Sequence, residues 1–394
     1  MKILYISYDG LLEPLGQSQV LQYLKELAKQ HTITLVSYEK AEDWQDVSRR
    51  ESLKKEVCQA GLQWVPLKYH KRPSAVATAY DILVGFLSCS FLISTRKIRI
   101  VHARSYVPSV VALCLKKVFG LRYIFDMRGF WVDERVDGNI WPHDSRIYPV
   151  AKWFERRFLL NSDVVVSLTH AGVDEIKKFS YLKGTMPRFE IIPTCTNLKL
   201  FTRNEYKEKS PFTLGYVGSV GTWYLLDEML ECFRILYQLR PGARMRFINR
   251  NDHALIKERA MALGIFLECI DIKAVNHCEV AKELSQMDAG IMFYKPDFSK
   301  KATSPTKLGE FLACGIPCLG NSGVGDVEMV LSNEKVGIVV NEFDEKTLRS
   351  AMEHLLAMSE EPEIGDRCRK IAEKYFSLDE GVRKYDAIYR SLSC

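Results

Sequence analysis

Residues 1–38 read MKILYISYDG LLEPLGQSQV LQYLKELAKQ HTITLVSY, and this stretch decides the fold class. Residues 3–8 form an almost continuous apolar run, as expected for a strand buried on both faces of a parallel sheet. Residues 18–30 then place a set of apolar side chains on one helical face: Val20, Leu21, Leu24, Leu27 and Ala28. Residues 32–38 form a second strand, so the order predicts a βαβ unit and a parallel sheet.

The same alternation of strand and helix continues along the chain in two blocks. The first block has further apolar strands at 98–103, 122–126 and 163–168, and the second has strands at 213–217, 244–249, 289–294 and 316–320. We therefore expect an α/β protein with two doubly wound, Rossmann-like domains that face each other across a cleft. Ligands of such sheets bind at the carboxyl ends of the strands.

The boundary between the two blocks is marked by a change of pattern. Residues 194–210 are polar and lack a clear period, which is typical of a linker. We assign residues 1–200 to the first domain and 201–377 to the second. A final helix at 378–392 carries an apolar stripe.

Composition and charge exclude several classes of protein. With 394 residues, 47% apolar and 26% charged, the chain is neither disordered nor a small disulfide scaffold. The 55 basic and 49 acidic residues leave a net charge of +6, dispersed along the chain. That balance suits an anionic small ligand or an anionic membrane surface and argues against a nucleic-acid partner.

Cysteine usage and the N-terminus indicate the compartment. The 11 cysteines include no C-x-x-C pair and no zinc-ligand spacing, so we interpret most of them as small buried apolar side chains in a reducing compartment. The chain begins directly in a strand pattern rather than a signal peptide, and its longest apolar run, 82–93, is too short to span a bilayer. These features predict a cytoplasmic protein, at most at the inner face of the plasma membrane.

Residues 304–317, SPTKLGEFLACGIP, carry the most specific chemical signal. Ser304 suits a helix N-cap and Pro305 the first helical position, while Gly315 suits the residue just past the helix end. The free amides at such a helix start attract an anion, and Lys307 adds a charged donor there.

Glu310 lies one turn further along the same helix, about 4.5 Å along the axis. A phosphate at the helix start would leave a ribose near this carboxylate, which accepts two hydroxyl hydrogen bonds. The alternative is a capped surface helix on which Glu310 is solvated.

The segment EFLACGIP at 310–317 resembles the donor-binding signature of the family 4 retaining glycosyltransferases, which have the GT-B fold. Four other segments are similar to that family in order and spacing: residues 13–20, 191–193, 215–219 and 375–377. The resemblance thus spans nearly the whole chain. It also implies that the C-terminal helix, 378–394, packs back on the first domain.

The resemblance implies a metal-independent enzyme that transfers a sugar with retention from a nucleotide sugar, most often a uridine diphosphate sugar in relatives. The acceptor would be a glycan or lipid-linked glycan in cell-surface polysaccharide synthesis. Glu310 would bind the ribose, and the remaining donor contacts would come from Gly16, Gln17, Gly218, Ser219, Ser304, Pro305, Thr306 and Leu308. The nucleotide sugar is a substrate, so no cofactor is implied, and the absence of D-x-D argues against a metal site.

The sequence departs from the family pattern at two places. Ala302 stands where a second glutamate is usual, and Ser219 stands where an arginine is usual. The lysine that usually follows that arginine by a few residues is also missing. Lys307, Arg250 and Arg128 are the candidates to replace this cationic pair. Two alternatives therefore stay open: a non-catalytic nucleotide-sugar-binding subunit, and a sugar-nucleotide epimerase on the same fold, for which no acid–base cluster is evident.

The first domain offers polar residues at the ends of two predicted strands. The predicted catalytic set is Asp126, Arg128, Lys307 and Glu310. In this set Asp126 would bind sugar hydroxyls and Arg128 would bind phosphate. The alternative is a structural ion pair that closes a loop. The acceptor-side candidates are Glu13, His102 and Arg104, although a lone histidine such as His102 is more often a core residue and Glu13 more often solvated.

Basic residues flank the apolar stretch 75–93, at 68–72 on one side and at 96–99 on the other. This arrangement is typical of a helix that contacts an anionic membrane. The alternative is a buried helix with solvated ends, and Asp81 within the stretch would make insertion costly.

Overall fold

The computed structural model describes residues 1–203 and 211–393, and the chain divides into two compact units. The first unit comprises Met1–Ile192 and Leu378–Cys394, and the second comprises Pro193–Ser377. The division falls before the expected boundary at 200/201, and residues 204–210 of the expected linker lie outside the described residues.

Within the described residues, the first unit is built on one seven-stranded parallel sheet. Its strands are β1 (Lys2–Ser7), β2 (Thr32–Glu39), β3 (Gln63–Lys68), β4 (Ile100–Arg104), β5 (Arg122–Asp126), β6 (Val164–Ser167) and β7 (Phe189–Ile191). The order in the sheet is β3-β2-β1-β4-β5-β6-β7, so the direction of winding reverses between β1 and β4. A crevice opens at such a reversal, at the carboxyl ends of the two strands.

The helices of this unit are α1 (Pro14–Gly16), α2 (Gln22–Leu27), α3 (Ala41–Gln45), α4 (Val47–Gln59), α5 (Ser74–Arg96), α6 (Tyr106–Phe119), α7 (Trp131–Asp137), α8 (Ile147–Asn161) and α9 (His170–Lys177). A π-helical turn, Gln17–Leu21, joins α1 to α2, so the first helix begins before the expected residue 18. The early start has a local cause, because the ring of Pro14 pre-sets the backbone angle of a first helical residue.

Helix α5 differs from the sequence expectation. It runs for 23 residues, whereas the apolar run 82–93 had suggested a segment too short to cross a bilayer. Among the described residues it is the one helix that is long and apolar enough to cross a membrane, by length and composition alone. A third of the most apolar 18-residue segment of this helix is buried inside the protein.

The second unit is built on a six-stranded parallel sheet in the described residues. Its strands are β8 (Thr213–Val217), β9 (Arg244–Ile248), β10 (Ile270–Lys273), β11 (Ala289–Met292), β12 (Cys318–Asn321) and β13 (Gly337–Val340). The order is β10-β9-β8-β11-β12-β13, so the winding reverses between β8 and β11. Strand β12 begins two residues later than the expected start at 316, after the helix-stopping Gly315 and Pro317.

The helices of the second unit are α10 (Leu226–Leu239), α11 (His253–Ala262), α12 (His277–Leu284), α13 (Thr306–Ala313), α14 (Glu345–Ser359) and α15 (Ile364–Phe376). Its core forms where the apolar faces of α10 and α14 meet the central strands, with Phe233 and Phe247 fully buried. The last helix, α16 (Leu378–Ser391), belongs to the first unit and packs against α2.

Candidate functional site

Helix α13 of the second unit begins differently from the sequence expectation. Pro305, not Ser304, is the N-cap residue, and no side chain caps the helix. The Ser304 side chain instead accepts a hydrogen bond from the Thr194 amide (3.3 Å), and the Thr194 hydroxyl donates to the Ser304 carbonyl (2.8 Å). Ser304 therefore ties the start of α13 to residue 194, which leaves the first amides of the helix without a side-chain cap.

The end of α13 follows the expectation. Gly315 adopts φ +80°, the left-handed conformation that stops a helix just beyond its C-cap. A Cβ at this position would approach the Cα of Gly365 to 3.2 Å. The helix is therefore limited to Thr306–Ala313, and Lys307 and Glu310 both lie within it.

Lys307 lies in a cage of tyrosine rings at the point where the winding of the sheet reverses. Its Nζ is 4.0 Å from the ring centroid of Tyr216, 4.2 Å from that of Tyr224 and 5.5 Å from that of Tyr294. Tyr216 belongs to β8, and Tyr294 follows β11. The side chain is buried, and Nζ has no hydrogen-bond acceptor among the residues that the structure describes. A nitrogen donor is thus held at the switch point without a hydrogen-bond acceptor from the described part of the chain.

Gly218, in the loop after β8, lies next to this cage. It adopts φ +112°, and a Cβ on it would lie 3.5 Å from Lys307 Nζ. Its amide donates to the Ile248 carbonyl (2.9 Å), and its carbonyl accepts from Asn249 Nδ2 (2.9 Å). A Cβ at that distance would make only an ordinary contact, so it is the positive φ that calls for glycine here, and the backbone groups of Gly218 hold the loop in place.

Burial shifts the protonation of both ionisable groups on α13. It lowers the pKa of Lys307 to about 7, against the opposing attraction of Glu310. It raises the pKa of Glu310 to about 7, against the opposing attraction of Lys307. Glu310 is only 7% exposed, so the alternative of a solvated surface carboxylate is wrong. Paired groups with strongly perturbed pKa values at a strand-end crevice are typical of functional sites.

The other predicted residues of the second unit differ in their exposure. Ser219 and Arg250 are exposed, in the loops after β8 and β9. Ala302 is buried, and so is the nearby Lys300, whose Nζ lies 4.1 Å from the Trp223 ring centroid. Thr306 is half-buried and Leu308 is buried in the core under α13. The contact of Leu308 is thus with the protein interior.

The first unit has its own group of polar residues at the β1/β4 reversal. Glu39 on β2 accepts hydrogen bonds from the amides of Leu11 (2.8 Å) and Leu12 (3.2 Å). Gly16 lies so close to this loop that a Cβ on it would be 2.0 Å from the Gly10 carbonyl oxygen. The Gln17 amide side chain donates to the Leu11 carbonyl (2.6 Å). Gly16 and Gln17 therefore have a structural role in closing the loop, whatever they contact in a ligand.

Glu13 is not simply solvated. It accepts a hydrogen bond from the Gly10 amide (3.2 Å) and forms an ion pair with Lys40. Its carboxylate thus stabilises the same loop from the other side.

Asp126, at the end of β5, is the centre of a buried polar cluster. Tyr385 of α16 donates to its Oδ2 (3.0 Å), and His102 Nε2 lies 3.5 Å from the same oxygen. Arg128 is 4.0 Å from Oδ1 and adopts φ +58°. Burial alone would raise the pKa of Asp126, but Arg128, His102 and Arg104 outweigh it, so the pKa lies below its usual value. Oδ1 has no hydrogen-bond partner among the described residues. The 4.0 Å contact with Arg128 fits a structural ion pair, and the binding of sugar hydroxyls by Asp126 stays a prediction.

His102 and Arg104 are both buried on β4. Burial lowers the pKa of His102, whose Nδ1 lies 2.7 Å from the Tyr389 hydroxyl of α16. Arg104 Nε is 3.3 Å from Asp9 Oδ2 in the loop after β1. His102 is thus a buried residue that is hydrogen-bonded at Nδ1, while its Nε2 has no hydrogen-bond partner among the described residues. Arg104 connects the ends of the two strands that flank the reversal.

The structure therefore assembles two groups, one in each unit. Asp126, Arg128, His102 and Arg104 belong to the first, and Lys307, Glu310 and Gly218 belong to the second. Sequence reasoning missed the three tyrosines around Lys307 and also Asn249. The only signal in the sequence was that Tyr216 and Tyr294 stand at the carboxyl ends of apolar strands. Within residues 1–203 and 211–393, no group of three His, Cys, Asp or Glu side chains has the placement to hold a metal ion.

Comparison with known proteins gives the same division of the chain. A family model described as "Glycosyl transferase 4-like domain" matches residues 16–191, and one described as "Glycosyl transferases group 1" matches residues 199–375. No curated protein gives a significant match to the sequence.

Solved structures show the fold. Sucrose-phosphate synthase from Thermosynechococcus elongatus superposes with a TM-score of 0.70 at 15% identity, covering 100% of this chain and 99% of that one. Anabaena Alr3699/HepE in complex with UDP and glucose gives 0.68 at 12% identity, covering 99% and 100%. A putative UDP-N-acetylglucosamine 2-epimerase from Listeria monocytogenes gives 0.63 at 14% identity, covering 99% and 96%. At these identities the likeness shows the fold alone, two Rossmann-like domains as in GT-B proteins, and no activity. Since the two family models together match nearly the whole chain, this protein belongs to the group 1 glycosyltransferases of the GT-B type, with a glycosyltransferase 4-like first domain.

Proposed function

We propose that the protein transfers a sugar from a uridine diphosphate sugar to a glycan or lipid-linked glycan, with retention at the anomeric carbon and without a metal ion. The observation that carries this proposal is Lys307 Nζ, buried among tyrosine rings beside Gly218 with no acceptor among the described residues. An anion that reaches the cage supplies the partner that the ammonium group lacks. The uridine base is proposed by analogy with neighbours such as Alr3699/HepE, which was solved with UDP and glucose.

Glu310 gives the site its second contact. It lies one turn after Lys307 on the same buried helix, so a diphosphate at the ammonium group places the attached ribose near the carboxylate. The two ribose hydroxyls donate to its oxygens. Binding of the diphosphate restores the charge of Lys307, because a neighbouring anion favours the protonated form.

The reaction needs a positive charge where the diphosphate departs. Lys307 and the uncapped amides at the start of α13 supply it. The bond from the anomeric carbon to the diphosphate oxygen breaks as the bond to the acceptor oxygen forms on the same face. The proton of the acceptor hydroxyl passes to the departing phosphate oxygen, so no protein nucleophile is needed.

Separate observations bear on the acceptor and on the compartment. Arg104 and the loop after β1 lie at the crevice of the first unit, where we place the acceptor. The nine cysteines whose state the structure describes are all free thiols, which suits a reducing, cytoplasmic compartment. The pathway we propose is cell-surface polysaccharide synthesis.

The first experiment is thermal unfolding of the full chain with a panel of nucleotides and nucleotide sugars. Binding to the native state raises the midpoint by mass action, so uridine nucleotides should raise it and Glu310→Ala should abolish the rise. The exposed Glu345→Gln in the second unit is the matched control and should retain it. If no nucleotide raises the midpoint, the proposal is wrong.

Turnover separates the enzyme from the binding subunit. Both bind the nucleotide sugar, but only the enzyme releases UDP from the donor when an acceptor is present. A midpoint rise without release of UDP, across donors and glycan acceptors, would favour the non-catalytic subunit, in keeping with the buried Ala302 in place of a second glutamate.

A further inference from the structure

Helix α5 has an inner face that is fixed to the first unit. Asp81 is buried on that face, where its Oδ2 accepts hydrogen bonds from the Tyr8 hydroxyl (2.8 Å) and the His70 amide (3.1 Å). His70 Nδ1 lies 2.6 Å from its other oxygen. Gly85, one turn on, lets the Tyr38 hydroxyl approach so closely that a Cβ would lie 2.0 Å from it. The one acidic residue of the helix thus points into the protein and not toward solvent.

The outer face of α5 is a continuous apolar stripe. Five large side chains on it are between 53 and 68% exposed: Val76, Tyr80, Leu83, Leu87 and Phe91. Their spacing of three or four residues keeps them within about 80° around the axis, over a length of about 22 Å. Between residues 73 and 95 the only charged side chain is Asp81, which is turned inward, so the stripe contains no charge.

Both ends of the stripe are basic. Over residues 68–99 the chain carries six basic side chains against the single buried carboxylate: Lys68, Lys71, Arg72, Arg96, Lys97 and Arg99. Five of these six are exposed, and Arg96 is half-buried. An anionic surface with an apolar interior is complementary to this face, because the stripe enters the apolar layer while the cations remain among anionic headgroups.

Two other arrangements fit the face less well. A symmetric pair of copies joined through α5 would bring basic ends against basic ends in either orientation, since both ends of the helix carry the same charge. A helix that crossed the bilayer would have to leave the unit and break the bonds to Asp81 that Tyr8 and His70 supply.

We propose that α5 is an interfacial docking helix, whose outer face at residues 76–91 binds the surface of an anionic lipid bilayer. The helix lies in the plane of the interface and keeps its inner face in the fold. This partner surface is independent of the proposed transfer reaction, and it brings the first unit to the place where a lipid-linked acceptor resides.

Sedimentation of the full chain with lipid vesicles tests the proposal. Vesicles of phosphatidylcholine alone are compared with vesicles of phosphatidylcholine and phosphatidylglycerol in equal amounts. The wild type should bind the anionic vesicles, and added salt should weaken that binding. The double variant Leu83→Glu/Leu87→Glu should bind at least about tenfold more weakly, because two side chains that would enter the apolar layer of the bilayer become charged. Lys71→Gln/Arg72→Gln should weaken binding to the anionic vesicles by about fivefold for each charge removed.

The matched control is Met261→Glu/Phe266→Glu, which alters two side chains of similar exposure in the second unit and should leave vesicle binding unchanged. Circular dichroism and the thermal midpoint confirm that each variant is folded. The proposal is overturned if the wild type binds neither vesicle, or if Leu83→Glu/Leu87→Glu binds as the wild type does. A wild-type dimer that this variant dissociates, with no vesicle binding, would show instead that a second copy covers the stripe. Loss of the nucleotide-induced midpoint shift would bear on the transferase proposal only.

Discussion

Lys307 should make the binding of UDP depend on pH in a definite direction. Burial lowers its pKa to about 7, so the free site loses its positive charge as the pH rises above neutrality. A bound diphosphate favours the charged form, which raises the pKa of Lys307 in the complex. Binding above pH 7 therefore takes up a proton, and the affinity falls as the pH rises.

The size of the effect follows from the same pKa. At pH 7 about half of the free molecules carry the charge on Lys307, and at pH 8.5 about 3% do. If only the charged form binds, the affinity drops by about fifteenfold between these two values, or about 1.6 kcal/mol. A smaller drop means that the neutral form retains part of the affinity.

Isothermal titration of UDP at pH 7 and pH 8.5, in buffers of different ionisation enthalpy, measures the affinity and the proton uptake together. Lys307→Met should bind UDP more weakly at pH 7 and should show neither the fall nor the uptake. Lys301→Met, which removes a neighbouring charge outside the tyrosine cage, should keep both. A wild-type affinity that is the same at both pH values, or an equal fall in Lys307→Met, would refute the reasoning.

Two further predictions concern stability. The pKa of Glu310 is higher in the folded than in the unfolded state, so the folded state favours the protonated carboxyl. The stability that this preference allows is fully present below pH 4.5, and it is lost as the pH rises to about 7. Glu310→Gln should thus raise the free energy of unfolding at pH 8 by up to about 3 kcal/mol and leave it unchanged at pH 4, and it should still abolish UDP binding. Urea unfolding at both pH values measures the change. An equal change at the two pH values would mean that the carboxylate is not the cause. Gly16→Ala should lower the free energy of unfolding by about 1–3 kcal/mol, because the new Cβ meets the Gly10 carbonyl. The control Gly221→Ala has open space around its new Cβ and should not lower it. Equal stabilities of the two variants would mean that the loop after β1 moves aside without cost.

Local pattern was sufficient for the scaffold. Parallel strands buried on both faces must be apolar throughout, so β1, β4, β5, β8 and β11 were recognisable as runs in the sequence. The helix that carries Glu310 was recognisable because its stop signal, Gly315, acts locally. The start of that helix was misjudged, since Ser304 hydrogen-bonds to Thr194, a partner 110 residues away that no local rule supplies.

The sequence by itself determined the α/β class, the two-part division and the helix that carries Lys307 and Glu310, because each depends on the order and period of nearby residues. Only the tertiary structure decided the charge of Lys307, since Tyr216, Tyr224 and Tyr294 come from distant segments and the pKa follows from the burial they create. The same holds for α5. Its apolar residues are not confined to one side of the helix, and only the packing of Asp81 and Gly85 against the first unit shows which face is left exposed.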